Sequence, residues 1–150
     1  MSRDFNKVSP NVWSSRKFRN LDSDDARLCY LYLLTNKHCN SVGCYTMLEG
    51  YGSADLKWEI DRYRKAIDSL CSVGLIETDA AEEMVLIANW ATFNEPTNAK
   101  HALGTLKALA TLPRSPLRDK RFQEFSEIVR QKGHHNDKIV GLQIDRLSKA

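Results

Sequence analysis

The stretch that decides the fold runs from residue 55 to 76: Asp55-Leu56-Lys57-Trp58-Glu59-Ile60-Asp61-Arg62-Tyr63-Arg64-Lys65-Ala66-Ile67-Asp68-Ser69-Leu70-Cys71-Ser72-Val73-Gly74-Leu75-Ile76. Between Glu59 and Cys71 the apolar residues fall at Ile60, Tyr63, Ile67, Leu70 and Cys71. That spacing gives a helix with one buried stripe. Gly74 supplies the permissive backbone that ends a helix, and Leu75-Ile76 opens a short strand. Beyond it, Met84-Val85-Leu86-Ile87-Ala88-Asn89-Trp90 reads as the returning strand, and Asp79-Ala80-Ala81-Glu82-Glu83 as the tip between them.

Upstream, Leu21-Asp22-Ser23-Asp24-Asp25 is a helix start. Asp22 or Ser23 can accept from the free amides of the first turn, and Asp24 and Asp25 suit its positive end. The helix continues through Thr35 and is apolar around most of its circumference, so it is expected to be the central buried helix. Cys44–Met47 is a strand candidate, and Gly50–Leu56 a short helix, with Lys57-Trp58 turning into Glu59–Ser72. Two helices joined by a tight turn, followed by a hairpin, predict a winged helix, the helix-turn-helix variant, with Glu59–Ser72 as recognition helix. Asn98 then caps a helix from Ala99 to Leu112. Pro113 stops it, and Ser115-Pro116 starts another carrying Phe122, Phe125 and Val129. The end, Lys138 to Leu147, forms an amphipathic turn or two or stays disordered. The expected class is mainly α with a small β-hairpin (α+β): a basic arm over residues 1–20, a winged-helix domain over 21–97, and a C-terminal helical extension over 98–150. In the arm, Pro10 confines Val8–Trp13 to an edge strand or extended segment. Trp13 and Phe18 are expected to anchor it, and Trp13, Trp58 and Trp90 to serve as core or domain-edge anchors.

The chain has 150 residues and a net charge of +3, spread unevenly. Residues 1–20 carry +4, residues 21–112 carry −5, and residues 113–150 carry +4. No apolar run is long enough to span a membrane. The start, Met-Ser-Arg-Asp-Phe-Asn-Lys, lacks an apolar signal region, which points to the cytoplasm and to reduced thiols at Cys29, Cys39, Cys44 and Cys71. No Gly-rich phosphate loop ending in Lys-Ser/Thr is present, and no Ser/His/Asp or Cys/His arrangement stands out, so the chain reads as non-enzymatic and needing no cofactor. His38, Cys39, Cys44 and His134 or His135 match no standard zinc spacing.

The run from Val8 to Leu112 resembles the N-terminal winged-helix domain of phage and prophage replication proteins: replisome organisers, replication initiators and helicase-loader relatives. The residues that carry the resemblance are Pro10-Asn11-Val12-Trp13 with Phe18, Leu21–Arg27 leading into Tyr30–Leu34, and Asn40–Tyr45 before Ser53–Leu56. Ala66–Leu70 with Gly74–Ile76, Ile87–Trp90 and Phe93-Asn94 complete it. The resemblance covers about two-thirds of the chain and implies binding of double-stranded DNA near an origin, or recruitment of a host replicative helicase or other replisome protein, in the bacterial host cytoplasm. Residues 113–150 lie outside it.

At about 100° per residue, Arg62, Lys65 and Ser69 share one edge of the solvent face of Glu59–Ser72; Asp61 and Asp68 share the other, and Arg64 flanks the apolar stripe. One reading has Arg62, Lys65 and Ser69, with Arg64 and Lys57, reach bases or phosphates in a major groove. The other is a solvated face with pairs such as Asp61–Lys65. Arg3, Lys7, Arg16, Lys17 and Arg19 of the arm can contact phosphate or the minor groove, and Arg114, Arg118, Lys120 and Arg121 form a second basic cluster. The hairpin tip, with Asp79, Glu82 and Glu83, would repel phosphate, so it either points away from DNA or serves protein binding. The rival reading is a protein-interaction module in which Phe122, Phe125 and Val129 dock a replisome partner or a second copy, giving a homodimer or higher oligomer. A winged-helix transcriptional regulator is a third. Residues 113–150 are expected to be dispensable for folding.

Overall fold

The computed structural model describes residues 4–150; Arg3 of the arm lies outside them. The protein is mainly helical with a small three-stranded antiparallel sheet. Pro10–Ser14 forms a 3-10 turn, followed by α1 (Arg16–Arg19), α2 (Asp24–Thr35), β1 (Cys44–Thr46), α3 (Glu49–Leu56) and α4 (Ile60–Ser72). The hairpin β2 (Ile76–Asp79) and β3 (Met84–Ile87) leads into α5 (Trp90–Phe93), α6 (Ala99–Ala110), α7 (Pro116–Gln131), a 3-10 turn at His134–Asn136 and α8 (Lys138–Lys149).

Helix starts follow local chemistry. Ser23 accepts from Ala26 N, Asn98 from His101 N, and Ser115 from Leu117 N, each satisfying an amide that the first turn leaves open. Asp137 does the same for Ile139 and Val140, which makes the C-terminal segment a full helix. At the end of α4, Gly74 sits at φ +76° and Leu75 N donates to Leu70 O, the left-handed stop expected there. Lys57 takes the same conformation, φ +57°, at the end of α3 and turns the chain into α4.

The sheet order is β1-β3-β2. Tyr45 pairs with Val85, and Cys44 with Leu86; Thr78 and Glu77 meet the same two residues from the other side. All four residues of β3 are buried. A strand covered on both faces needs no polar alternation, which is why this run is uniformly apolar. One face meets α2, where the Tyr45 hydroxyl donates to Leu33 O at 2.6 Å. The other meets α7, which contacts all three strands. A single buried cluster runs from Phe18 of α1 to Leu147 of α8.

Several expectations are corrected. Pro10 starts a 3-10 turn, not an extended strand, because its fixed φ suits a first helical position and Ser9 accepts from Asn11 N. Trp13 is exposed at 64%, so it does not anchor the arm; Phe18 alone is buried there, with Trp58 and Trp90 in the core as expected. α2 is not buried all round: Leu28 faces solvent. The chain leaves β3 at Ile87, and Trp90 opens a short helix. Residues 116–129 are a wall of the core, since they cover the sheet. No helix among the described residues is long and apolar enough to cross a membrane.

Candidate nucleic-acid interface

α4 packs its Tyr63, Ala66 and Leu70 face against α2 and α3, while α6, α7 and α8 lie elsewhere in the fold. Its outer face is left open. Arg62 is half-exposed there, and Lys65 is exposed, with no carboxylate within ion-pair distance among the described residues. Ser69 donates to Lys65 O and lies 3.4 Å from an Asp22 carboxylate oxygen. Arg62, Lys65 and Ser69 therefore share an edge, as the helical spacing implies.

That edge is not bare positive charge. Arg62 grips Asp25 at the start of α2 with two hydrogen bonds, Nε to Oδ2 at 2.7 Å and Nη2 to Oδ1 at 2.8 Å. Its guanidinium carbon also lies 4.5 Å from the centroid of the Trp58 ring, a cation–π distance. The hydrogen bonds from Arg62 hold the Asp25 carboxyl below the ordinary carboxylate range. The stabilisation from the pair is therefore full above the ordinary carboxylate pKa and is lost as pH falls from there through the lowered pKa of the folded state. Arg64 is committed to Glu49, at 2.7 Å, and approaches Asp61 at 3.7 Å. The Asp61–Lys65 pair does not form among the described residues; cross-element partners take its place.

In the arm, Arg16 and Arg19 are exposed, and Lys17 Nζ reaches Gly74 O at 3.5 Å, at the negative end of α4. Lys57 is exposed in the turn before α4. Lys57 and Lys17 thus stand at opposite ends of α4.

The C-terminal assignments do not survive. Phe122, Phe125 and Val129 are buried beneath the sheet, so they cannot present a docking surface. Arg118 and Arg121 are buried beside them, and Lys120 is paired with Glu77. The second basic cluster is therefore split: Arg114 and Lys120 stay exposed, while Arg118 and Arg121 belong to the core. Arg121 donates to Ile87 O and lies 3.1 Å from Glu124.

The hairpin tip is organised around Asp79. One of its oxygens accepts from Ala81 N and Glu82 N, and the other from the Ser115 hydroxyl at 2.8 Å. The hydroxyl of Ser115 is the largest influence holding its carboxyl below the ordinary range. Between α4 and this hairpin lies an open groove of about 620 Å³, with an apolar floor at Met47, Ile60 and Ile67. Glu49, Asp68, Asp79 and Glu83 line it against the single cation Arg64. Burial pushes the Cys29 thiol up to about 12 and that of Cys44 up to about 11, so both stay protonated at neutral pH.

Comparison with known proteins finds no matching family model, no matching curated protein and no matching solved structure.

Proposed function

We propose that this chain is a winged-helix protein that binds double-stranded DNA through α4, as a non-enzymatic accessory of phage or prophage replication acting at an origin or in helicase loading. The winged-helix assignment is supported by the order helix, strand, helix, helix, hairpin from α2 to β3 and by the sheet order β1-β3-β2. The observation that carries the DNA reading is the open outer edge of α4, where Arg62, Lys65 and Ser69 stand clear of the C-terminal helices. The carboxylate held by Arg62 does not block this use. An exposed ion pair is weak, and phosphate can replace Asp25 as the acceptor of the same two hydrogen bonds. The replication role, a host helicase partner, self-association and a place in the bacterial host cytoplasm rest on the resemblance carried by residues 8–112.

Arg62→Ala combined with Lys65→Ala is expected to weaken duplex binding about tenfold at low salt and to make the slope of log K against log salt shallower by about 2, the contribution of two phosphate contacts. Polarisation titrations at several salt concentrations measure both. Binding equal to the parent's would remove α4 from the interface. Asp25→Asn is expected to act in the opposite direction, tightening duplex binding about threefold, because it releases Arg62 and removes a charge that phosphate must approach.

The groove under the hairpin favours a second reading, a protein-interaction module. Its carboxylates and apolar floor suit a basic, amphipathic peptide better than phosphate. A complex held there partly by the apolar floor weakens less with salt than duplex binding through α4.

A further inference from the structure

Trp13 and Phe93 are large aromatic side chains left 64% and 73% exposed, close in sequence to the buried Phe18 and Trp90; Phe5 of the arm is exposed as well. Trp13 and Phe18 make a T-shaped contact, with ring centroids 5.5 Å apart, and most of the Trp13 side chain stays exposed. Phe93 ends α5, which the buried Trp90 pins through a hydrogen bond from its indole to Ser41 O. Phe93 lines a groove of about 230 Å³ between the arm and the exit of the sheet, together with Lys7 and Lys17. That lining contains no carboxylate. Asn11, Asn89 and Asn94 contribute amides to it; Trp13, Arg16 and Arg19 lie outside the lining, exposed on the same arm within two positions of the lining residues Val12, Ser15 and Lys17. The groove beneath the hairpin has the opposite sign.

We infer that the arm and the α5 exit form a site for single-stranded nucleic acid, distinct from the duplex-binding edge of α4. Exposed rings offer faces on which unpaired bases stack, and every base has such a face. Lys7, Lys17, Arg16 and Arg19 supply the charge that follows a phosphate backbone, and asparagine amides match the donors and acceptors of base edges. A duplex cannot use the rings, because its bases are already stacked. A protein partner with a hydrophobic anchor has no need of four cations and gains nothing from a lining without carboxylates.

Trp58 and Trp90 are buried, so Trp13 is the indole that a stacked base can quench. The test titrates the full chain with labelled oligothymidylate of about 15 nucleotides, reading polarisation and tryptophan emission together. The expected result is quenching on binding, with Trp13→Ala and Phe93→Ala each weakening affinity about tenfold and Trp13→Phe retaining most of it. Lys7→Ala with Arg16→Ala is expected to lower the single-strand salt slope by about 1.4. Both aromatic side chains are mostly exposed, so the variants should melt as the parent does. The Arg62→Ala/Lys65→Ala variant is expected to keep single-strand binding while its duplex binding weakens about tenfold, which separates this inference from the duplex reading. Aromatic variants that bind as the parent does would overturn the inference. So would emission unmoved by the oligonucleotide, or single-strand binding lost in the α4 variant alone.

Discussion

Gly52→Ala is expected to lower unfolding stability by about 3 kcal/mol, an overpacking effect at the upper end of its usual range. A Cβ at this position would lie 2.1 Å from Cε2 and 2.4 Å from Cζ of Tyr63. The Tyr63 ring is buried, and its backbone belongs to α4, so it cannot retreat without moving that helix. Intrinsic propensity works the other way: alanine favours a helix interior by about 1 kcal/mol over glycine. The clash exceeds that gain. Gly50 is the control. It lies in the same helix with nothing within 4 Å of its added Cβ, so Gly50→Ala is expected to stabilise by about 0.5–1 kcal/mol. Urea unfolding checks both: the midpoint falls for Gly52→Ala and rises for Gly50→Ala at unchanged slope. Two glycines in one turn of helix then have opposite signs, because only one is where α3 and α4 touch.

Arg121 gives the second large effect. Its side chain is fully buried between α7 and the sheet, and Nε finds no hydrogen-bond partner among the described residues. Arg121→Ala is expected to destabilise by about 3 kcal/mol, since it leaves a cavity under β3 and the Ile87 carbonyl loses its guanidinium donor. Arg121→Met keeps the volume and removes the desolvated charge, and it is expected to lie within about 1 kcal/mol of the parent. Thermal and urea melts of the two variants separate packing from charge. A methionine variant as unstable as the alanine one would mean that the bond to Ile87, rather than the filled space, holds α7 to the sheet.

The residues that failed to declare themselves share one cause. α4 and the hairpin were legible because their signals are local: apolar residues at Ile60, Tyr63, Ile67 and Leu70, and a glycine at 74. The starts of α2, α6 and α7 follow from Ser23, Asn98 and Ser115. In α7 the periodic stripe was also there to read. Arg118, Arg121, Phe125 and Val129 recur at helical spacing on one buried face, but arginine counts as surface by composition and so reads as a basic patch. The same stripe identifies Phe122, Phe125 and Val129 as the seal of a sheet whose β3 is apolar on both sides. The partners of Arg62 and Arg64 had no local signature. Asp25 lies 37 residues away and Glu49 lies 15 away, so only the folded chain brings them together. Trp13 reads as an anchor because tryptophan usually is one; its exposure follows from the 3-10 turn that Pro10 begins, which gives the inward position to Phe18.

These corrections leave the functional argument resting on fewer residues. Arg118, Arg121 and the apolar face of α7 are core, so the cations that carry the DNA reading are the exposed ones of the arm, Lys57 and the outer face of α4. That edge is tempered by Asp22 and Asp25, which makes affinity for phosphate dependent on salt and on competition with the protein's own carboxylates.

The most direct measurement is an amide-resolved NMR titration of the labelled chain with duplex DNA at low salt. The account predicts shifts concentrated at Arg62, Lys65 and Ser69, extending to Asp25 as its guanidinium partner is drawn away, with the hairpin tip at Glu82 and Glu83 unmoved. Shifts confined to the groove between α4 and the hairpin, or to α7 and α8, with the outer edge of α4 silent, would contradict it.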